Sequence, residues 1–163
     1  MNKVASYRKL ALPAWQAHVY IINKIETDLN NIEALNSRKK SSLTRLTRNS
    51  KIFKTIIHAI KEKKGDHIVS LDLRKIPEAV ADFFIICQAN NNNQLRAIAD
   101  FIEEDVRINC NERPYKHEGR QGEQWILIDF VNVVVHVMLP EPRKFYQLEE
   151  LWSDAPAMEH NEK

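Results

Sequence analysis

Glycine is nearly missing from this chain. Gly65, Gly119 and Gly122 are the only three in 163 residues, which leaves little room for a glycine-rich loop that cradles phosphate on backbone N–H groups. Cysteine is as scarce. Cys87 and Cys110 stand far apart, with no C-x-x-C and no zinc-ligand spacing. Cys87 lies inside an apolar run, where a thiol acts as a small hydrophobe. This usage points to a reducing, cytoplasmic home. No apolar stretch approaches the ~20 residues that span a bilayer. The N-terminus also lacks the basic, then apolar, then small-residue layout of a secretory signal.

The formal net charge of +2 hides a division. Residues 1–51 carry ten Lys/Arg against three Asp/Glu, and residues 52–163 carry fourteen against nineteen. This reads as a basic arm on a mildly acidic domain. Within the arm, Pro13 opens a helix over residues 14–35 whose stripe includes Trp15, Val19, Ile22 and Ile25. Residues 36–50 are polar, basic and rich in Ser and Thr, as in a flexible linker. An RNA-touching tail is one reading of the arm. Glu26, Asp28 and Glu33 weaken a targeting-peptide reading. Composition favours an unrelated extension.

The compact domain is expected over residues 52–155. Ser50 is placed to cap a helix through Lys64, with Ile52, Ile56, Ile57 and Ile60 inward and Gly65 as its stop. Strands follow at His67–Leu73 and Asp82–Gln88. The run Asn90–Asn93 caps a second helix to Ile108, its inner face Leu95, Ile98, Ala99, Ile102 and Val106. A short strand at Tyr115–Glu118 precedes a hairpin of Trp125–Phe130 and Val133–Leu139, joined by Val131-Asn132. Pro140 and Pro142 end that hairpin. A last helix then aligns Phe145, Leu148, Leu151 and Trp152 on one face. The order α-β-β-α-β-β-β-α predicts an α/β fold, an α+β mixed sheet covered by helices on both faces. Residues 156–163 read as a disordered tail.

Catalytic chemistry finds little support in this pattern. Asp72, Asp82 and Asp129 are carboxylates of the kind that hold magnesium against a nucleotide. Asp72 stands alone in SLDLR, however, with no D-x-D pair and no preceding glycine-rich turn, so strand edges and turn caps are the simpler roles. His136, between Val135 and Val137, reads as a hydrogen-bonded core histidine. His117-Glu118-Gly119 reads as a turn. No Ser-His-Asp or Cys-His arrangement has supporting local sequence. Trp125 shares a strand face with Leu127 and Asp129, and Ile126, Ile128 and Phe130 share the other. If the second set faces the core, Trp125 and Asp129 point outward as an aromatic anchor with a charge beside it. If a helix covers the first set, Trp125 is ordinary core. Periodicity alone does not choose.

Seven segments, HIVSLDLR, ADFFIIC, QLRAIADFIEE, HEG, EQWILIDF, VVVHVM and RKFYQLEELW, occur in the order and spacing of the Iojap-like family of ribosomal silencing factors (RsfS), which the chain resembles over residues 52–155. The resemblance implies a nucleotidyltransferase-like Iojap fold without the active site, and a binding protein rather than an enzyme. It implies binding to the large ribosomal subunit through ribosomal protein uL14, which blocks joining of the small subunit and represses translation under nutrient limitation. It also implies a homodimer when free. The family's partner-binding tryptophan and aspartate fall on Trp125 and Asp129, with Leu127 between them and Phe130 after them. Its V-V-H-V strand brings His136, and the arginine and tyrosine before L-E-x-L-W fall on Arg143 and Tyr146. Two departures stand out. The usual Gly-rich turn after the second strand is here Gln88 to Asn93, and the Gly-Asp hairpin turn is Val131-Asn132. A large-subunit assembly factor whose basic arm contacts rRNA is the alternative reading, and a nucleotidyltransferase-like enzyme a weaker one.

Overall fold

The computed structural model describes residues 45–161, Glu78 excepted. The expected helix over 14–35 lies outside these residues. The chain divides into two units, residues 1–43 and Thr44–Lys163. Residues 45–50, ahead of the first described helix, are tied onto the second unit. The Leu46 N–H donates to Asp82 Oδ2 at 3.0 Å, and Arg48 reaches Ser70 Oγ and the Pro156 carbonyl.

Helix α1 spans Lys51–Glu62 and buries Ile52, Phe53, Ile56, Ala59 and Ile60, an amphipathic stripe at three- and four-residue steps. Ile57 is only half-buried, so Phe53 and Ala59 complete the inner face instead. Ser50 holds the N-cap position, but its hydroxyl accepts from the Thr47 N–H rather than from the first turn of the helix. Lys64, at φ 56°, supplies the left-handed turn expected of Gly65. Gly65 is required by space, since a Cβ there would lie 2.5 Å from Ile60 Cγ2.

Strands β1 (Asp66–Asp72) and β2 (Phe83–Gln88) follow. Helix α2 (Asn92–Cys110) buries Leu95, Ile98, Ala99, Ile102 and Val106, the face read from periodicity. Asn91 caps it by accepting from the Gln94 N–H, and left-handed Asn111 ends it. The Gln94 amide also donates to the carbonyls of Lys63 and Lys64, which locks the start of α2 to the end of α1.

Strands β3 (Lys116–Glu118), β4 (Trp125–Asp129) and β5 (Val133–Met138) lead to two short helices, α3 (Pro140–Tyr146) and α4 (Leu148–Leu151), and to β6 (Ala157–Glu159). The sheet order is β3-β4-β5-β2-β1-β6. Only β2 and β5 run parallel, and the other neighbours are antiparallel. One face carries Ile68, Phe83, Ile85, Cys87, Ile126 and Ile128 against α1 and α2. Burial pushes the Cys87 thiol up to about 12, so it is an inert apolar filler.

The C-terminal region departs from expectation twice. The last helix is broken at Gln147, whose φ of 45° is left-handed. The break shifts the helical phase, so Phe145 is 63% exposed while Leu148 and Trp152 are buried. Residues 157–159 are strand rather than disordered tail, pairing antiparallel with β1 from Leu71↔Ala157 to Val69↔Glu159. The cause is backbone demand. The outer edge of β1 needs partners, and side-chain polarity on the supplying strand is irrelevant to those bonds.

Candidate partner-binding site

The antiparallel register of β4 and β5 sets Leu127 opposite His136 and Asp129 opposite Val134. Trp125, Leu127, Asp129 and His136 thus lie together on the sheet face opposite α1 and α2. That face is not open. Trp125 is 6% exposed, and Leu127, Asp129 and His136 are fully buried. Of the two placements left open for Trp125 and Asp129, the structure has the covered one. Tyr146 of α3 lies with its ring centroid 5.0 Å from that of Trp125, and Trp152 beyond α4 packs edge-on against Phe84 at 5.6 Å.

His136 is held from several sides. Trp125 Nε1 donates to its Nδ1 at 3.2 Å, and the Phe84 ring meets it edge-on at 4.8 Å. A tryptophan N–H can only donate, so Nδ1 is the acceptor of this bond. This is the core histidine that the apolar strand suggested.

Asp129 is used inside the hairpin. Its Oδ1 accepts from the Val131 N–H at 2.8 Å, closing a turn in which Val131 has a φ of 72°. Phe130 separates from the other candidates. It is 5% exposed and belongs to the core cluster beneath α1 and α2, on the opposite side of the sheet. Alternation along β4 dictates that outcome. Arg143 projects from α3, with Nε and Nη2 both donating to Glu149 Oε1 at 3.1 and 2.6 Å, and so ties α3 to α4 across the break at Gln147. The exposed part of this region is α3 itself, where Phe145 stacks edge-on against Tyr146 at 5.0 Å. Sequence reasoning missed Phe145 as a surface group because it took the last helix as continuous.

The three candidate metal carboxylates have separate duties. Arg74 makes a two-pronged ion pair with Asp72 at 2.8 and 2.6 Å, which holds that carboxyl below its ordinary range. Asp82 accepts from Leu46, and Asp129 holds its turn. Among the described residues no group of three His, Cys, Asp or Glu is placed to hold a metal ion. None of the described helices is long and apolar enough to cross a membrane.

A mixed sheet with two helices on one face and a short helical cover on the other defines an α/β fold. A protein-family model described as "Ribosomal silencing factor during starvation" matches residues 47–163. The ribosomal silencing factor RsfS of Halalkalibacterium halodurans is 36% identical over 111 residues, 68% of this chain and 93% of that protein. A mouse protein named "Mitochondrial assembly of ribosomal large subunit protein 1" is 35% identical over 74 residues, 44% of this chain and 32% of that protein. A crystal structure from Bacillus halodurans superposes with a TM-score of 0.59 at 32% identity, covering 69% of this chain and all of that one. The chain belongs to the ribosomal silencing factor family, whose members are named as regulatory factors and not as enzymes.

Proposed function

We propose that this protein binds the large ribosomal subunit through ribosomal protein uL14 and, seated there, keeps the small subunit from joining. Translation then falls when nutrients are scarce. The observation that carries the reading is the silencing-factor match across residues 47–163, nearly the whole compact unit. The mechanism is occupancy in the cytoplasm, with no bond made or broken, and the free protein is a homodimer.

The contact is made from α3. Phe145 and Tyr146 form an aromatic pair at the surface, the composition that dominates interface energetics. Trp125 lies beneath Tyr146 and sets its position, so it is a positioning residue. Arg143 fixes the helix that carries both aromatics through Glu149. Asp129 and His136 hold the sheet face below.

Sedimentation of purified subunits with the protein added tests the reading. The expected result is co-migration with the large subunit and loss of joined ribosomes, with Tyr146→Ala abolishing both. Failure to bind either subunit overturns it.

The mouse relative's name favours one second reading, an assembly factor for the large subunit. That reading requires accumulation of large-subunit precursors on depletion, and binding to those precursors rather than to the mature subunit.

A further inference from the structure

Residues 45–64 break the simple division into a basic arm and an acidic domain. They carry seven Lys/Arg and one Asp/Glu, whereas residues 65–163 carry ten against eighteen. Three of these seven charges, Lys51, Lys54 and Lys61, are on α1, inside the folded unit. Lys51, Lys54, His58 and Lys61 recur at steps of three, four and three, on the side opposite buried Ile52, Ile56 and Ile60. Lys51, Lys54 and His58 are exposed, and Lys63 and Lys64 add charge at the C-terminal end. Neighbouring positions on such a stripe are about 5–6 Å apart at Cβ. Among the described residues, the acidic groups beside it include Glu62 and Asp105, both set against His58, at 3.7 and 3.5 Å, and Asp66 near Lys61.

The stripe has no apolar centre. The exposed large hydrophobics among the described residues are Ile108, Tyr115, Phe145 and Met158, and none is on α1. A protein interface draws its energy from a desolvated aromatic or aliphatic core. A membrane-surface helix needs apolar groups beside its lysines to enter the acyl boundary. A row of compact ammonium charges without either is suited to a phosphate backbone, where counterion release supplies the affinity.

We infer that the lysine face of α1 is an RNA-backbone contact, separate from the α3 surface and from the N-terminal arm. The inference rests on the proposed ribosomal binding for which RNA is meant, namely rRNA of the large subunit. The contact is non-specific in sequence and adds orientation. α3 faces the protein partner, while α1, on the opposite face of the sheet, holds phosphates of a separate rRNA segment.

The test compares the full chain with its K51Q/K54Q/K61Q variant in binding purified large subunits from about 50 to about 200 mM salt. These exposed or half-exposed positions leave the core intact, so the thermal midpoints are expected to agree within a few degrees. The variant is expected to bind more weakly at low salt, and its log-affinity against log-salt slope to flatten by about 2 to 3. An unchanged slope overturns the α1 contact and leaves the proposed function standing. If the wild-type chain binds no subunit, the proposed function fails, and the same pair is compared on a short RNA duplex. Lysine-dependent binding there upholds the α1 contact, and lysine-independent binding overturns it. Lysine-dependent binding to phosphatidylserine vesicles but not to RNA overturns it as well.

Discussion

The indole N–H of Trp125 donates to Nδ1 of His136 across the β4–β5 pair, at 3.2 Å in a buried setting. Removing the donor while keeping an aromatic ring strands a buried acceptor. Trp125→Phe is therefore expected to cost about 1–3 kcal/mol by chemical denaturation. Adding His136→Leu to that variant should restore part of the loss, because the acceptor goes too. A double-mutant cycle with no coupling between the two sites would show that the bond carries no stability. Trp125→Ala should lower stability by about 3–5 kcal/mol, so any loss of ribosome binding in that variant needs a folding control.

Gly119 has a φ of 85°, and a Cβ there would collide with the Trp125 carbonyl oxygen at the start of β4. Gly119→Ala is expected to lose about 2 kcal/mol or more, since both backbone conformation and space oppose it. Gly122 is the control. Its nearest neighbour to a built Cβ is 3.8 Å away, and its φ is not left-handed. Gly122→Ala should stay within about 0.5 kcal/mol of wild type. Equal thermal midpoints for the two variants would contradict the assignment.

Val131 occupies a left-handed position in the hairpin turn, where a β-branched side chain is strained. Val131→Gly exchanges that strain for added unfolded-state entropy of roughly 0.5–1 kcal/mol. Relief of the strain, about 1–3 kcal/mol, should win. The expected outcome is a rise in thermal midpoint, read by calorimetry. A fall would mean that the turn accommodates Val131 without strain.

β6 should fray as pH falls. His160 follows it, bonded to Ser70 at 2.8 Å, with its N–H on the Ile68 carbonyl and its ring near Phe53. Burial first, then Arg48 and Lys61, holds its imidazole below the ordinary value. The folded state thus favours the neutral ring. This stabilisation is complete above the unfolded value of about 6.5 and is lost as pH falls through the lower folded one. Amide exchange over residues 157–159, corrected for intrinsic rates, should quicken between about pH 7 and about pH 5. His160→Gln should remove that dependence. Protection that does not change with pH would rule out the titration.

Much of this architecture was legible before any coordinates. The inner face of α2, the hairpin strands and the two central strands follow from apolar period and from residues such as Asn91 that cap a helix. Periodicity also put Trp125, Leu127 and Asp129 on one face and Phe130 on the other. It did not reveal what lies over either face. Whether Trp125 is a contact or a buried support depended on Tyr146, twenty-one residues away, and on the left-handed turn at Gln147 that sets α3 over the sheet. Strand β6 was hidden for a related reason. Its three residues are exposed and too few to show a period, and only the unpaired edge of β1, supplied by a distant part of the chain, makes them a strand. Local period is written in neighbouring residues, so the central strands, α1 and α2 and their faces could be read from the chain. The break at Gln147, the cover over Trp125 and the pairing of β6 depend on contacts between distant elements and emerge only on folding.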